Sequence, residues 1–270
     1  MSLFKKKSPR TENMSIEDER EMVCDKLGFA ASEAYKLLRA NISFAIPDAA
    51  EHCVVLGITS STRSEGKSTT SVNLAYAIAE TGKKVLLIDA DMRIPTVGKK
   101  LDVHNAPGLS NFIAGQVTAE EALQDSGYFR NWKILSAGDI PPNPSELLGS
   151  ERMKLRIEYF SKHFDYIILD LPPINIVADA LAVARLTDGI LVVTRQDFSD
   201  KRSIGDAVSL LQMAKVNILG FVLTRAGSRS GRYGGKYSRY GSGYGYGYGY
   251  GYGKKQTVSS DDAERLSGND

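Results

Sequence analysis

The stretch Val54-Val55-Leu56-Gly57-Ile58-Thr59-Ser60-Ser61-Thr62-Arg63-Ser64-Glu65-Gly66-Lys67-Ser68-Thr69 decides how this chain is read. Its opening residues are apolar or β-branched around one glycine, which predicts a buried strand, and a helical pattern follows over 67–80. Between the two lies a glycine-lysine-serine loop in the setting of a phosphate-binding loop, with Ser61 where the usual first glycine would stand. Backbone amides at a helix N-terminus form a concave anion site, offered here by Ser61, Thr62, Arg63, Ser64, Glu65, Gly66, Lys67, Ser68 and Thr69. Lys67 is placed to reach the β- and γ-phosphates of a nucleotide, and the Ser68 hydroxyl to ligate Mg2+. Arg63 reads equally well as a phosphate contact or as an exposed loop arginine.

Working outward, apolar runs at 53–59, 84–89, 132–136, 166–171, 190–194 and 218–224 predict strands. Helical patterns near 67–80, 109–114, 118–124, 145–160, 178–186 and 201–214 separate them, and Thr118-x-x-Glu121 has the form of a capping box. Continuous apolar strands alternating with helices imply an α/β fold, a doubly wound and mostly parallel sheet with right-handed crossovers. Such sheets bind ligands at the carboxyl ends of their strands. Two acidic motifs fall at those ends: Asp89-Ala90-Asp91-Met92-Arg93 and Asp170-Leu171-Pro172-Pro173. Phosphoryl transfer needs Mg2+ beside the transferred phosphate and an oriented acceptor hydroxyl. Asp89, Asp91 and Asp170 converging on Lys67 and Ser68 meet that need, whereas turn capping explains any one of them but not all three.

With 270 residues, 42% of them hydrophobic, the chain is expected to hold one domain over 27–225, a flexible arm over 1–26 and a disordered tail over 226–270. A short helix is expected around 16–23, and an amphipathic one over 31–44 carrying Leu37, Leu38 and Ile42. The net charge of +2 hides two basic ends, Lys5, Lys6, Lys7 and Arg10 at one and seven basic residues without an acid over 225–255 at the other. Cys24 and Cys53 lack metal-ligand spacing and read as reduced thiols of a cytoplasmic protein. There is no apolar run of the ~20 residues needed to span a bilayer, so membrane association is expected through a partner or the basic ends.

The tail carries eight of the thirteen tyrosines, Tyr233, Tyr237, Tyr240, Tyr244, Tyr246, Tyr248, Tyr250 and Tyr252, the last five in strict alternation with glycine. No aliphatic residue accompanies them, so their hydroxyls are expected to be exposed phosphoryl acceptors. A parallel last strand ending near Thr224 would start this tail beside the nucleotide site.

Together these motifs resemble the bacterial tyrosine kinases of capsule and exopolysaccharide synthesis, over roughly 31–224 and, with the tyrosine cluster, to residue 253. The resemblance implies an ATP- and Mg2+-dependent protein-tyrosine kinase, non-specific in class, that phosphorylates its own tail between subunits. It implies Asp89 as base or orienter for the incoming tyrosine, and Asp91 and Asp170 as the residues arranging Mg2+. It also implies a helix with Glu-x-x-Arg-x-x-Arg used to assemble a ring, here Glu33, Lys36 and Arg39 with lysine in place of the first arginine. A membrane-spanning co-polymerase-type adaptor and a phosphotyrosine phosphatase are the implied partners, with recruitment to the inner face of the cell membrane.

Septum-placing and partitioning ATPases share the loop and strand-end acids but carry a second lysine early in the loop, where this chain has Thr62. A nucleic-acid-binding tail is the other rival, since Gly, Tyr and Arg mixtures stack on bases, but the arginines precede the Gly-Tyr alternation instead of interleaving with it. No specific nucleic acid is expected.

Overall fold

The computed structural model describes residues 23–46 and 52–226. The helix expected around 16–23 falls outside these residues up to position 22, and all eight tail tyrosines fall outside them. Among the described residues, seven strands make one sheet in the spatial order β3-β4-β2-β5-β1-β6-β7. They are β1 (Val54–Ser60), β2 (Val85–Asp89), β3 (Leu123–Asp125), β4 (Trp132–Leu135), β5 (Tyr166–Asp170), β6 (Gly189–Arg195) and β7 (Ile218–Thr224). Every neighbouring pair is parallel except β3 with β4.

The helices are α1 (Phe29–Ala45), α2 (Lys67–Ala79), α3 (Val97–Leu101), α4 (Leu109–Ala114), α5 (Ala119–Ala122), α6 (Pro144–Leu148), α7 (Glu151–Ser161), α8 (Asp179–Ala184) and α9 (Lys201–Met213). They divide between the two faces of the sheet. On one, Ile42, Val72, Ile78, Val97 and Leu101 of α1 to α3 pack with Val54, Leu56 and Ile58 of β1. On the other, Phe112, Phe160, Val183 and Leu211 pack with Val55, Leu86 and Ile167. Strands β1, β2 and β5 are buried along their whole length because helices cover both faces, which is why they read as unbroken apolar runs.

Three local differences from the sequence reading have physical causes. The helix expected over 118–124 is a single turn: the capping box forms, with Glu121 N–H donating to Thr118 Oγ1 at 3.3 Å and Thr118 N–H to the Glu121 carboxylate at 2.8 Å. Leu123 to Asp125 then leave the helix to pair antiparallel with β4, because a ladder on an open sheet edge outweighs a weak helix preference. The helix expected over 145–160 is two helices, α6 ending at Gly149 and α7 starting on Ser150, whose Oγ accepts from Met153 N–H at 3.2 Å. Finally, packing begins ahead of residue 27, with Val23 and Cys24 buried and Cys24 N–H donating to Asn73 of α2 at 2.7 Å.

Candidate active site at the phosphate-binding loop

The loop between β1 and α2 is turned by two residues with positive φ, Ser64 at 64° and Gly66 at 98°. Gly66 is needed there, since an added Cβ would be strained by that φ and would press on Thr224 at 3.2 Å. Loop shape is held from behind. Glu65, 1% exposed, turns its carboxylate inward and accepts from Ser61 Oγ at 2.9 Å, from Thr62 N–H at 2.9 Å and from Ser199 Oγ. Thr224 Oγ1, at the end of β7, donates to the Glu65 carbonyl at 2.6 Å, and Arg195 donates to the Ser64 carbonyl at 3.2 Å. The side chains of Ser61 and Glu65 are therefore turned to each other, and what these residues offer an anion is their backbone. Arg63 is exposed.

The strand-end acids meet as expected from the sheet. Asp89 and Asp170 are register partners on β2 and β5, and Lys67 opens α2 beside them. Lys67 Nζ lies 3.0 Å from Asp91 Oδ2, 3.5 Å from Asp170 Oδ2 and 3.3 Å from Ser68 Oγ. Burial works against the Lys67 ammonium, but Asp170, Asp91 and Asp89 outweigh it and hold its pKa above the ordinary lysine value. Asp170 also accepts from Ser71 Oγ at 2.9 Å.

Asp89 and Asp91 differ in a way the sequence does not show. Asp89 is fully buried, and its oxygens accept from three backbone amides: Asp91 at 3.2 Å, Thr96 at 3.0 Å and Val97 at 3.0 Å. It shapes the loop leading into α3. Burial, then the nearby Asp170, push its pKa up to about 7, with Lys67 and the Val97 amide opposing. Asp91 is 5% exposed and directs Oδ2 at Lys67 while Oδ1 accepts from Ile94 N–H at 3.1 Å. Both Asp89 oxygens are thus engaged by backbone amides, while Asp91 turns one oxygen to Lys67.

Ser68, Asp91 and Asp170 present hard oxygen donors around one lysine, a set that suits Mg2+, which is typically held by one or two carboxylates together with phosphate and water. An open cavity of about 1070 Å³ runs from Lys67, Ser68 and Asp91 to an apolar wall made by Ala34, Leu37 and Leu38 of α1 and by Phe221 and Leu223 of β7.

The α1 residues expected to join subunits are engaged within the chain. Lys36 pairs with Glu33 at 2.9 Å on the exposed face, while Arg39 donates to the Ala77 carbonyl near the C-terminus of α2 and lies 3.9 Å from Glu80. Arg39 thereby ties α1 to α2, satisfying one carbonyl in the last turn of α2.

A family profile described as an AAA domain matches residues 58–213. Tyrosine-protein kinase YwqD of Bacillus subtilis is 40% identical over 192 residues, covering 71% of this chain and 80% of its own length. This chain belongs to the bacterial tyrosine-protein kinase family. Among solved members, the kinase domain of the Escherichia coli tyrosine kinase ETK superposes with a TM-score of 0.67 at 34% identity, over 75% of this chain and 80% of that one. The septum site-determining protein MinD of Pyrococcus horikoshii, solved with Mg-ADP, gives 0.56 at 25% identity over 65% of this chain and 71% of that one. The tyrosine-protein kinase family therefore matches in both sequence and fold, and MinD in fold more distantly.

Sequence reasoning missed Ser199 and Asp179. Ser199 carries no local signal, since its partner Glu65 is 134 positions away. Asp179 did leave one: an acid at the head of an otherwise apolar helix, Asp179-Ala180-Leu181-Ala182-Val183-Ala184.

Proposed function

We propose that this chain is an ATP-dependent protein-tyrosine kinase that phosphorylates its own C-terminal tyrosines, Tyr233 to Tyr252, between subunits, in the service of capsular or exopolysaccharide synthesis. The observation that carries the reading is Lys67 set 3.0 Å from Asp91 and 3.5 Å from Asp170 at the head of α2, in a member of a tyrosine-kinase family. Backbone amides of the Ser61 to Thr69 loop cradle the phosphates, and Lys67 neutralises charge developing on the transferred group. Ser68, Asp91 and Asp170 would hold Mg2+, which supplies Lewis-acid charge at the β- and γ-phosphates. Asp91 orients the incoming tyrosine hydroxyl, and Asp89 keeps Asp91 in place through the amides it accepts. The phenol oxygen bonds to the γ-phosphorus as the bond to the ADP oxygen breaks, and the phenol proton passes to the carboxylate wall.

Function and placement of the remaining parts follow the same reading. The kinase domain spans 27–225, the tail 226–270 presents the acceptors, and the protein works in the cytoplasm, recruited to the membrane by a spanning adaptor and reset by a phosphatase. No helix among the described residues is long and apolar enough to cross a membrane. Ring assembly through Glu33, Lys36 and Arg39 requires Arg39 to leave the Ala77 carbonyl, or the exposed Phe29, Leu37 and Phe44 of α1 to supply the contact instead. Mixing a tail-deleted active protein with a full-length Lys67→Met protein tests the transfer. Phosphate on the inactive partner supports transfer between subunits, and none at any concentration overturns it.

A further inference from the structure

The geometry points to Asp179 as a positioning residue for phosphoryl transfer, one that clamps Arg93 and thereby fixes the loop carrying Asp91. The inference rests on the kinase reading for its catalytic readout and on the structure alone for its geometry. Arg93 closes the Asp89-Ala90-Asp91-Met92-Arg93 motif, and a basic residue so placed invites the view that it faces phosphate. It does not. Its Nε and Nη2 donate to the two oxygens of Asp179 at 2.7 and 3.1 Å, a two-pronged fork onto the first residue of α8. Ser145 of α6 donates to the same carboxylate from the other side.

The two partners are unequal. Asp179 has no exposed side-chain surface, while Arg93 is 42% exposed. Burial alone would raise the Asp179 pKa, but the Arg93 fork and the Ser145 hydroxyl outweigh it and hold it below the ordinary carboxylate value. The loop is thus pinned at both margins, by Asp89 accepting the amides of Asp91, Thr96 and Val97 within, and by Asp179 holding Arg93 without. Asp91 sits between these anchors, two residues from Arg93, a span of at most about 7 Å of extended chain. A buried ion pair contributes little net stability, whereas a fork fixes direction. What the clamp supplies is orientation: it keeps Asp91 Oδ2 on Lys67.

The two views of Arg93 predict different outcomes for lysine. A phosphate-facing charge survives Arg93→Lys, while a two-pronged clamp does not, because an ammonium cannot make the fork. In the full-length protein, Asp179→Asn and Arg93→Lys should each lower kcat for tyrosine phosphorylation by about ten- to a hundredfold, the scale expected of a small misplacement at a reacting centre. Affinity for a fluorescent ATP analogue should stay within about twofold, since the phosphate loop is untouched, and the double variant should lose no more than either single one. If Asp179→Asn fails to fold, Arg93→Gln with Asp179→Asn provides a neutral amide pair for the same measurement. Wild-type kcat in folded Asp179→Asn or in Arg93→Lys overturns the inference, as does a parallel loss of nucleotide affinity. If the wild-type protein phosphorylates no tyrosine, the kinase reading fails, and crystal structures then decide the clamp independently. Asp91 leaving Lys67 in Asp179→Asn sustains it, and the 3.0 Å contact unchanged refutes it.

Discussion

One wall of the cleft beside Lys67 is built from strand ends at the centre of the sheet, the other from an edge strand and a surface helix. On the central wall Asp89 and Asp170 are fully buried and Asp91 nearly so, and their oxygens meet backbone amides, the Ser71 hydroxyl or the Lys67 ammonium. On the outer wall Phe221 of β7 is 53% exposed, Leu223 56% and Leu37 of α1 63%. Folding has already desolvated the charged groups of the centre, so they are oriented before any substrate arrives. The margin keeps its apolar surface open, as a surface that must admit something else would.

Lys67→Met should break the central wall most severely, lowering tyrosine phosphorylation by about a thousandfold, the upper range for removing one charge-stabilising group. Circular dichroism should show the fold intact, and wild-type turnover in that variant would remove Lys67 from the chemistry. Asp91→Asn and Asp89→Asn sharpen the comparison within the wall. If Asp91 faces the acceptor and Asp89 shapes the loop, Asp91→Asn should depress kcat at unchanged thermal midpoint. Asp89→Asn should lower the thermal midpoint as well, because an amide replaces a carboxylate accepting three N–H donors. A lowered midpoint in the first and none in the second would reverse the assignment.

Weaker effects are expected where the loop is held from behind. Ser199→Ala and Thr224→Val each remove one hydrogen bond to Glu65 and should weaken nucleotide binding by about five- to tenfold, the scale of a net bond of about 1 kcal/mol. Unchanged affinity in both would show that the loop holds its shape without them. A separate test of the outer anchor is one of stability against pH. Arg93→Gln should cost about 2 kcal/mol near pH 7, since it leaves a buried carboxylate without its charged partner. Because the folded-state pKa of Asp179 lies below its unfolded value, that stability is present above about pH 4 and lost as pH falls through the folded value. The gap between variant and wild type in urea midpoint should therefore narrow as pH falls below the ordinary carboxylate range. A constant gap would mean that packing of Arg93, not its charge, stabilises the protein.

What the sequence reveals follows the same division. The central strands were legible because burial on both faces leaves an unbroken apolar run, and Lys67, Asp91 and Asp170 because a parallel sheet delivers strand ends to one edge. Strand β3 was not legible, since three residues, Leu123, Gln124 and Asp125, carry no period and pair only because β4 offers an edge. Nor was the difference in partners between Asp89 and Asp91, which depends on how the chain turns after β2. Glu65 falls within the motif yet its carboxylate is taken up by Ser61, Thr62 and Ser199.

The central claim is that this pre-organised wall transfers phosphate to tyrosine. Intact mass of the purified protein, before and after incubation with ATP and Mg2+, counts each transferred phosphoryl group directly. The account predicts a ladder of stable increments, up to the eight tail tyrosines, absent from Lys67→Met. An unchanged mass while ATP is still hydrolysed would contradict it and make the protein a nucleotide switch.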